Sequence, residues 1–268
     1  MATNLKARDF SFDAKTLSSM GFILCKFDSG GVETVDGVQV TFNTIPTLNG
    51  QKHELISNVY EDCLETTLQI CKYDCLSDIQ EITATDYRNI SKWLLRHKFL
   101  KFKLLDDEHI DIYYEVAFTN INKIEIDGRL IGLELTLITN TPFALKEPKA
   151  LVINNKIQNG KHSINDVSHE EGYIYPHTEI TIVESGNLKI HNAMENRDTY
   201  IKNCVAGEVI TMDYPIITSS LSTHNIQNDF NWNFFRVANT YDNSRNDLTI
   251  SIPCTIKIKY SPIVKVGI

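Results

Sequence analysis

The sequence predicts a mainly β protein of two domains, on three observations. Short runs alternate apolar and polar residues at the two-residue period of a strand. Turn dipeptides punctuate those runs, at Asp127-Gly128, Ser185-Gly186 and Ala206-Gly207. One segment instead repeats its apolar residues at helical spacing. Regular short strands separated by turn signals indicate sandwiches or barrels. The expectation is an N-terminal β-barrel or sandwich carrying one α-helix, followed by a C-terminal β-sandwich.

Taken in order, "VQVTFNTIP" alternates cleanly and "CLETTLQICKY" alternates with a slip. The segment "TATDYRNISKWLLRHKF" is the exception. Thr85 or Asp86 can cap a helix there, Tyr87, Ile90 and Leu94 recur on one face, and Trp93 and His97 lie beside them. Arg96, His97 and Lys98 close it with the positive charge a helix C-terminus favours, so the spacing predicts a helix over about 86–98 lying on the first-half sheet. "FLKFKLL" and "IDIYYEVAF" then read as strands, as does "NKIEIDGRLIGLELTLIT". "TNTPFALKEPKA" carries Pro142 and Pro148. Proline cannot donate to a ladder and restricts its neighbour, so a boundary is expected here, giving domains 1–145 and 146–268. The second half continues with strands in "EITIVESGNLKIHN", "TYIKNCVAGEVITMDY" and "NDLTISIPCTIKIKYSP", and with polar loops in "STHNIQND" and "YDNSRND".

A chain of 268 residues that is 42% hydrophobic and 22% charged has the composition of a folded globular protein. No apolar run reaches the roughly 20 residues of a membrane span. The opening "MATNLKARDFSFD" has no apolar signal core, so synthesis and assembly in the cytosol are expected. The six cysteines are therefore read as free thiols. Cys71 and Cys75 form the one close pair, and no second pair follows at zinc spacing. A net charge of −8 opposes sequence-independent nucleic-acid binding.

The densest cluster of potential ligands is "LLDDEHIDIYY", with Asp106, Asp107, Glu108, His109 and Asp111. Strand-like runs flank it, which makes residues 106–109 a polar connection of hairpin length. A calcium loop would need more oxygen ligands and a glycine for its bend. The reading is a solvated hairpin tip. "SHEEGY" sets His169 beside Glu170 and Glu171, a loop rim rather than a convergent site. "NDFNWNFF" places Phe230, Trp232 and Phe234 at alternate positions, facing one way if the segment is a strand. Such a row either packs in a core or contact, or stacks on a sugar ring. No nucleophile elbow, zinc-protease helix or phosphate loop occurs. No residue is assigned a catalytic, cofactor-binding or metal role.

The order of these elements resembles the siphophage distal tail protein family, including its prophage and tail-like bacteriocin versions. The resemblance begins in "FSFDAKTLSSMGFIL" and "IPTLNGQKHELISNVYEDCLETTLQI". It is most specific in "DYRNISKWLL", "FLKFKLLDDEHIDIYYEVAF" and the strand that runs into "TPFA". "YPHTEITIVESGNLKIHN", "AGEVITMDYPIIT" and "NDLTISIPCTIKIKYSP" are similar to the family's galectin-like jelly-roll sandwich. "VANTYDNSRND" departs from it, being longer and lacking the family's proline and glycine.

The resemblance implies a structural virion protein, not an enzyme, located at the distal tip or baseplate of the tail. Six copies would form a ring whose first domain makes the belt around the DNA channel, with DNA passing through without specific binding. Implied partners are the tail tube protein and the tail-associated hub or lysin protein, with the receptor-binding protein and tape measure as further candidates. No cofactor and no membrane are implied. The alternative from another class is a carbohydrate-binding, lectin-like host-recognition module, for which Phe230, Trp232 and Phe234 would have to be exposed. A wall hydrolase would need a carboxylate pair or a Cys/His arrangement.

Overall fold

The structure, a computed structural model, describes residues 8–27, 40–46, 53–60, 63–72, 80–107 and 109–265. Glu108 and Cys75 lie outside the described residues, as do parts of the runs read as strands before residue 65. The chain is mainly β and forms two compact units, Met1–Leu145 with Lys265–Ile268, and Lys146–Val264.

In the first unit seven strands pair in the order Lys15–Thr16, Phe10–Phe12, Leu100–Leu104, Ile112–Ile126, Arg129–Thr139, Glu65–Lys72 and Phe22–Cys25. All these neighbours are antiparallel. The Leu24 amide on the last strand donates to the Arg8 carbonyl at 3.0 Å, two residues before the Phe10–Phe12 strand. The sheet thus curls back towards its own start, in a barrel-like curvature. A separate hairpin pairs Val40–Pro46 with His53–Tyr60. Asp127 and Gly128 both have positive φ, 51° and 77°, the I′ geometry of a two-residue hairpin turn between Ile126 and Arg129.

Alternation drives the packing. Phe10, Phe12, Phe102 and Phe118 point to one face and meet ring to ring, with centroids 5.1–6.3 Å apart. The helix lies on this face. It runs Ala84–Leu94, buries Ile90, Trp93 and Leu94, and stacks Trp93 on Phe10 at 5.8 Å. The Trp93 indole N–H, which could not be buried without a partner, donates to the Phe12 carbonyl at 3.2 Å.

The helix boundaries correct the sequence expectation at both ends. The N-cap is Thr83, and Asp86 is the third helical residue of a reciprocal capping box. At the other end Leu95 leaves the helical region with ψ 87°, so Arg96, His97 and Lys98 follow the helix rather than close it.

The second unit is a sandwich. One sheet orders Lys149–Asn155, Cys254–Tyr260, His177–Ile182, Val209–Asp213 and Ile216–Ser219. The other orders Gly160–Asn165, Arg245–Ile250, Gly186–Asn192 and Arg197–Cys204. Alternate residues of both sheets, among them Ile180, Ile210, Ile256, Leu188, Ile190, Ile201 and Leu248, enter a single buried cluster. A short pair, Gly172–Ile174 with Val237–Asn239, is tied in by Asn246, whose side chain is fully buried. Its amide accepts from the Ala238 N–H and donates to the Ala238 carbonyl, at 2.9 and 2.8 Å, imitating a strand partner.

Candidate interaction surfaces

The hairpin expected at residues 104–114 forms. Leu100 pairs with Val116 and Phe102 with Tyr114. Side-chain bonds hold the described part of its tip. Asp106 accepts from the His109 backbone N–H at 2.8 Å and from His109 Nδ1 at 2.7 Å, with both side chains mostly covered. Asp107 and Asp111 are exposed, and so are Leu105 and Ile110, the latter 71% accessible. Burial first, and the Asp106 carboxylate second, push the Tyr114 hydroxyl well above its ordinary range. Among the described residues no three of His, Cys, Asp or Glu gather as metal ligands.

The aromatic row in "NDFNWNFF" is not a strand. A short helix, Ile226–Asp229, precedes it, and Trp232 adopts a left-handed φ of 59°. Phe230 and Phe234 turn into the core, at 4% exposure each, while Trp232 turns out at 57%. The cause is Asn231. Its side chain accepts from the Tyr200 and Asn233 amides and donates to the Asp198 carbonyl, which staples the loop to the edge strand Arg197–Cys204. A one-faced stacking row for a sugar is therefore absent. The rings instead continue as a chain: Phe234 meets Tyr214 edge-on, Tyr214 stacks on Tyr175 at 4.2 Å, and Tyr175 meets Tyr173. The Arg236 guanidinium covers the Tyr173 face at 3.8 Å and pairs with Glu195 at 2.5 Å. The ring faces of Tyr173, Tyr175 and Tyr214 are thus partly used within the protein.

His169, Glu170 and Glu171 lie in a loop. Glu170 and Glu171 line a small recess with Asp166, Ser168, Asn239, Ile174 and Ile263, and His169 is exposed outside it. Sequence reasoning missed a buried polar group in the same unit. Glu208, with no exposed side-chain surface, accepts from the Val205 N–H at 2.9 Å, the Ser219 hydroxyl at 2.5 Å and His224 Nδ1 at 2.5 Å. His224 Nε2 lies 3.3 Å from Asp229 Oδ2. Burial alone would raise the Glu208 carboxyl; Ser219, His224 and Val205 outweigh it and hold it below the usual carboxylate range. The only local hint in the sequence is a glutamate directly after a Gly turn.

The thiols of Cys25, Cys63, Cys71, Cys204 and Cys254 are free. Burial first pushes Cys204 up to about 11 and Cys254 up to about 12, which makes them inert core residues. No helix among the described residues is long and apolar enough to cross a membrane.

Comparison with known proteins gives this architecture a family. A family model described as a phage tail protein N-terminal domain matches residues 5–141, and one described as a phage tail C-terminal domain matches residues 143–260. No curated protein matches the sequence. Among solved structures the chain is similar to the Dit protein of phage SPP1, described as a paradigm of the hub adsorption apparatus in phages infecting Gram-positive bacteria. That likeness has a TM-score of 0.67 at 9% identity, over 96% of this chain and 99% of the other. A second likeness, to the phage P2 baseplate in its activated conformation with Ca, has a TM-score of 0.48 at 13% identity, over 94% and 97%. The fold is of the Dit type, and the chain belongs to this phage tail protein family as a structural component of the virion tail.

Proposed function

We propose that six copies of this chain close a ring at the distal end of the tail. In this reading the first unit forms the belt around the channel. The ring joins the tail tube to the tail-associated hub or lysin protein, and the second unit offers contacts to the receptor-binding apparatus. The observation that carries the proposal is the likeness to the SPP1 Dit protein over nearly the full length of both chains, at a hub described for adsorption. Two further features support it. An acidic chain of net charge −8 suits a passage that DNA must cross without sticking. Two of the described polar clusters, Asp106 with His109 and Glu208 with His224, are tied into structural bonds.

Ring closure is head-to-tail, so each copy must present two different, complementary patches. Negative-stain imaging of the purified full chain tests the proposal. The expected result is a population of six-fold rings with a central hole. A chain that stays monomeric at every concentration overturns it.

A further inference from the structure

The first unit carries two exposed patches of opposite charge at the two ends of one strand, Leu100–Leu104. Just before the strand, residues 95–99 are all exposed. Leu95 and Phe99, each 42% accessible, flank Arg96, His97 and Lys98. This segment is anchored where the helix ends, because Arg96 Nε donates to the Trp93 carbonyl at 3.2 Å. Just after the strand, Leu105 at 43% and Ile110 at 71% accessibility sit among Asp107 and Asp111, which are also exposed. This segment is held in shape by the Asp106–His109 bonds. A strand of this length separates the two patches by about 16 Å.

Each patch therefore pairs two exposed large apolar residues with charge of one sign, and the signs are opposite. Solvated surface alone explains the charges but not the four apolar side chains among them. Two such patches cannot meet within one copy, since the strand holds them apart. They can meet between copies, each patch on one copy facing the other patch on the next. We infer that the acidic hairpin tip around Asp107, Ile110 and Asp111 docks on the basic segment Leu95–Phe99 of a neighbouring copy of this chain, forming the head-to-tail contact. The apolar pairs supply desolvated contact, and the charges fix orientation and reject tip-to-tip or base-to-base encounters. The Arg96–Trp93 and Asp106–His109 bonds, already formed before contact, reduce the ordering cost of docking.

This inference rests on the ring reading, and the test separates the two. Assembly of the full chain is measured by light scattering and native mass spectrometry at low and high salt. One variant carries Asp107→Lys and Asp111→Lys; a second carries Arg96→Glu and Lys98→Glu. Each alone should assemble at least ~10-fold more weakly than the unaltered chain, because like charges then face each other. Mixed one to one, they should assemble again, since alternating copies restore opposite charges at every contact. A third variant, Ile110→Ser, leaves the charges intact and should weaken assembly at high as well as low salt. Rings that form equally well from each charge variant alone would overturn this contact and leave the ring standing. An unaltered chain that never assembles would overturn both. Thermal melts of each variant confirm folding, and a mixture of folded variants that does not recover also counts against the contact.

Discussion

Asp106 and Glu208 are both carboxylates that their surroundings turned into structural locks. Asp106 was visible in the sequence as one of a crowd of acids, but its partner at the third position, His109, was legible only as a second candidate ligand. Whether such a pair binds an ion or closes a turn depends on backbone geometry, which local composition does not encode. The lock at Glu208 was not legible beyond its place after a Gly turn, because Ser219 and His224 reach it from 11 and 16 residues away. Its energetics can still be argued. A carboxylate held below its ordinary range stabilises the fold above the unfolded carboxyl value, and that contribution is lost as pH falls through the folded one. In Glu208→Gln one acceptor oxygen becomes an N–H₂ facing the donors that remain, which costs about 1–3 kcal/mol. Denaturant melts at pH 7 should show this loss. At a pH low enough to protonate Glu208 in the unaltered chain, the two proteins should converge. A gap that stays constant between pH 7 and strong acid would show that the charge of Glu208 contributes nothing.

Among elements, legibility followed how local the determinants are. The strands Leu100–Leu104, Ile112–Ile126 and Arg129–Thr139 alternate on their own, and the Asp127-Gly128 turn needs only two residues. The segment 230–234 also alternates, yet it is not a strand, because two hydrogen bonds tie the Asn231 side chain to Asp198 and Tyr200 and a third links it to the Asn233 amide, overriding the period. The helix was found but displaced, since several plausible caps stand in "TATDY" and only the reciprocal bonds choose among them. Thr83 Oγ accepts from the Asp86 N–H at 3.2 Å while Asp86 Oδ2 accepts from the Thr83 N–H at 2.9 Å. Lys72, 2.7 Å from Asp86, helps Thr83 hold that carboxyl below its usual range against the opposing effect of burial. Thr83→Ala removes the cap and should destabilise the first unit by about 1 kcal/mol. Thr85→Ala, at the position first suggested by the sequence, should cost far less. Chemical melts of the two variants side by side decide which residue caps the helix.

At the level of the whole molecule, the two units have separate cores of different make-up, and this has a measurable consequence. The first is built on Phe10, Phe12, Trp93, Phe102 and Phe118, and the second on the isoleucine-rich cluster of the sandwich with Phe230 and Phe234. Cooperativity extends as far as shared packing, so each core should unfold as its own transition. Replacing a buried phenylalanine by alanine costs about 3–5 kcal/mol. In domains of this size each kcal/mol moves the midpoint by roughly 2–8 °C. Phe102→Ala should therefore lower one calorimetric transition by roughly 10–20 °C and leave the other in place. Phe234→Ala should do the reverse. Calorimetry of the full chain and the two variants reads this directly. A single transition that both substitutions lower equally would show that the units fold as one. With two independent transitions, assembly becomes a marker: a contact made by the first unit should raise only the midpoint that Phe102→Ala lowers, because binding stabilises what it engages.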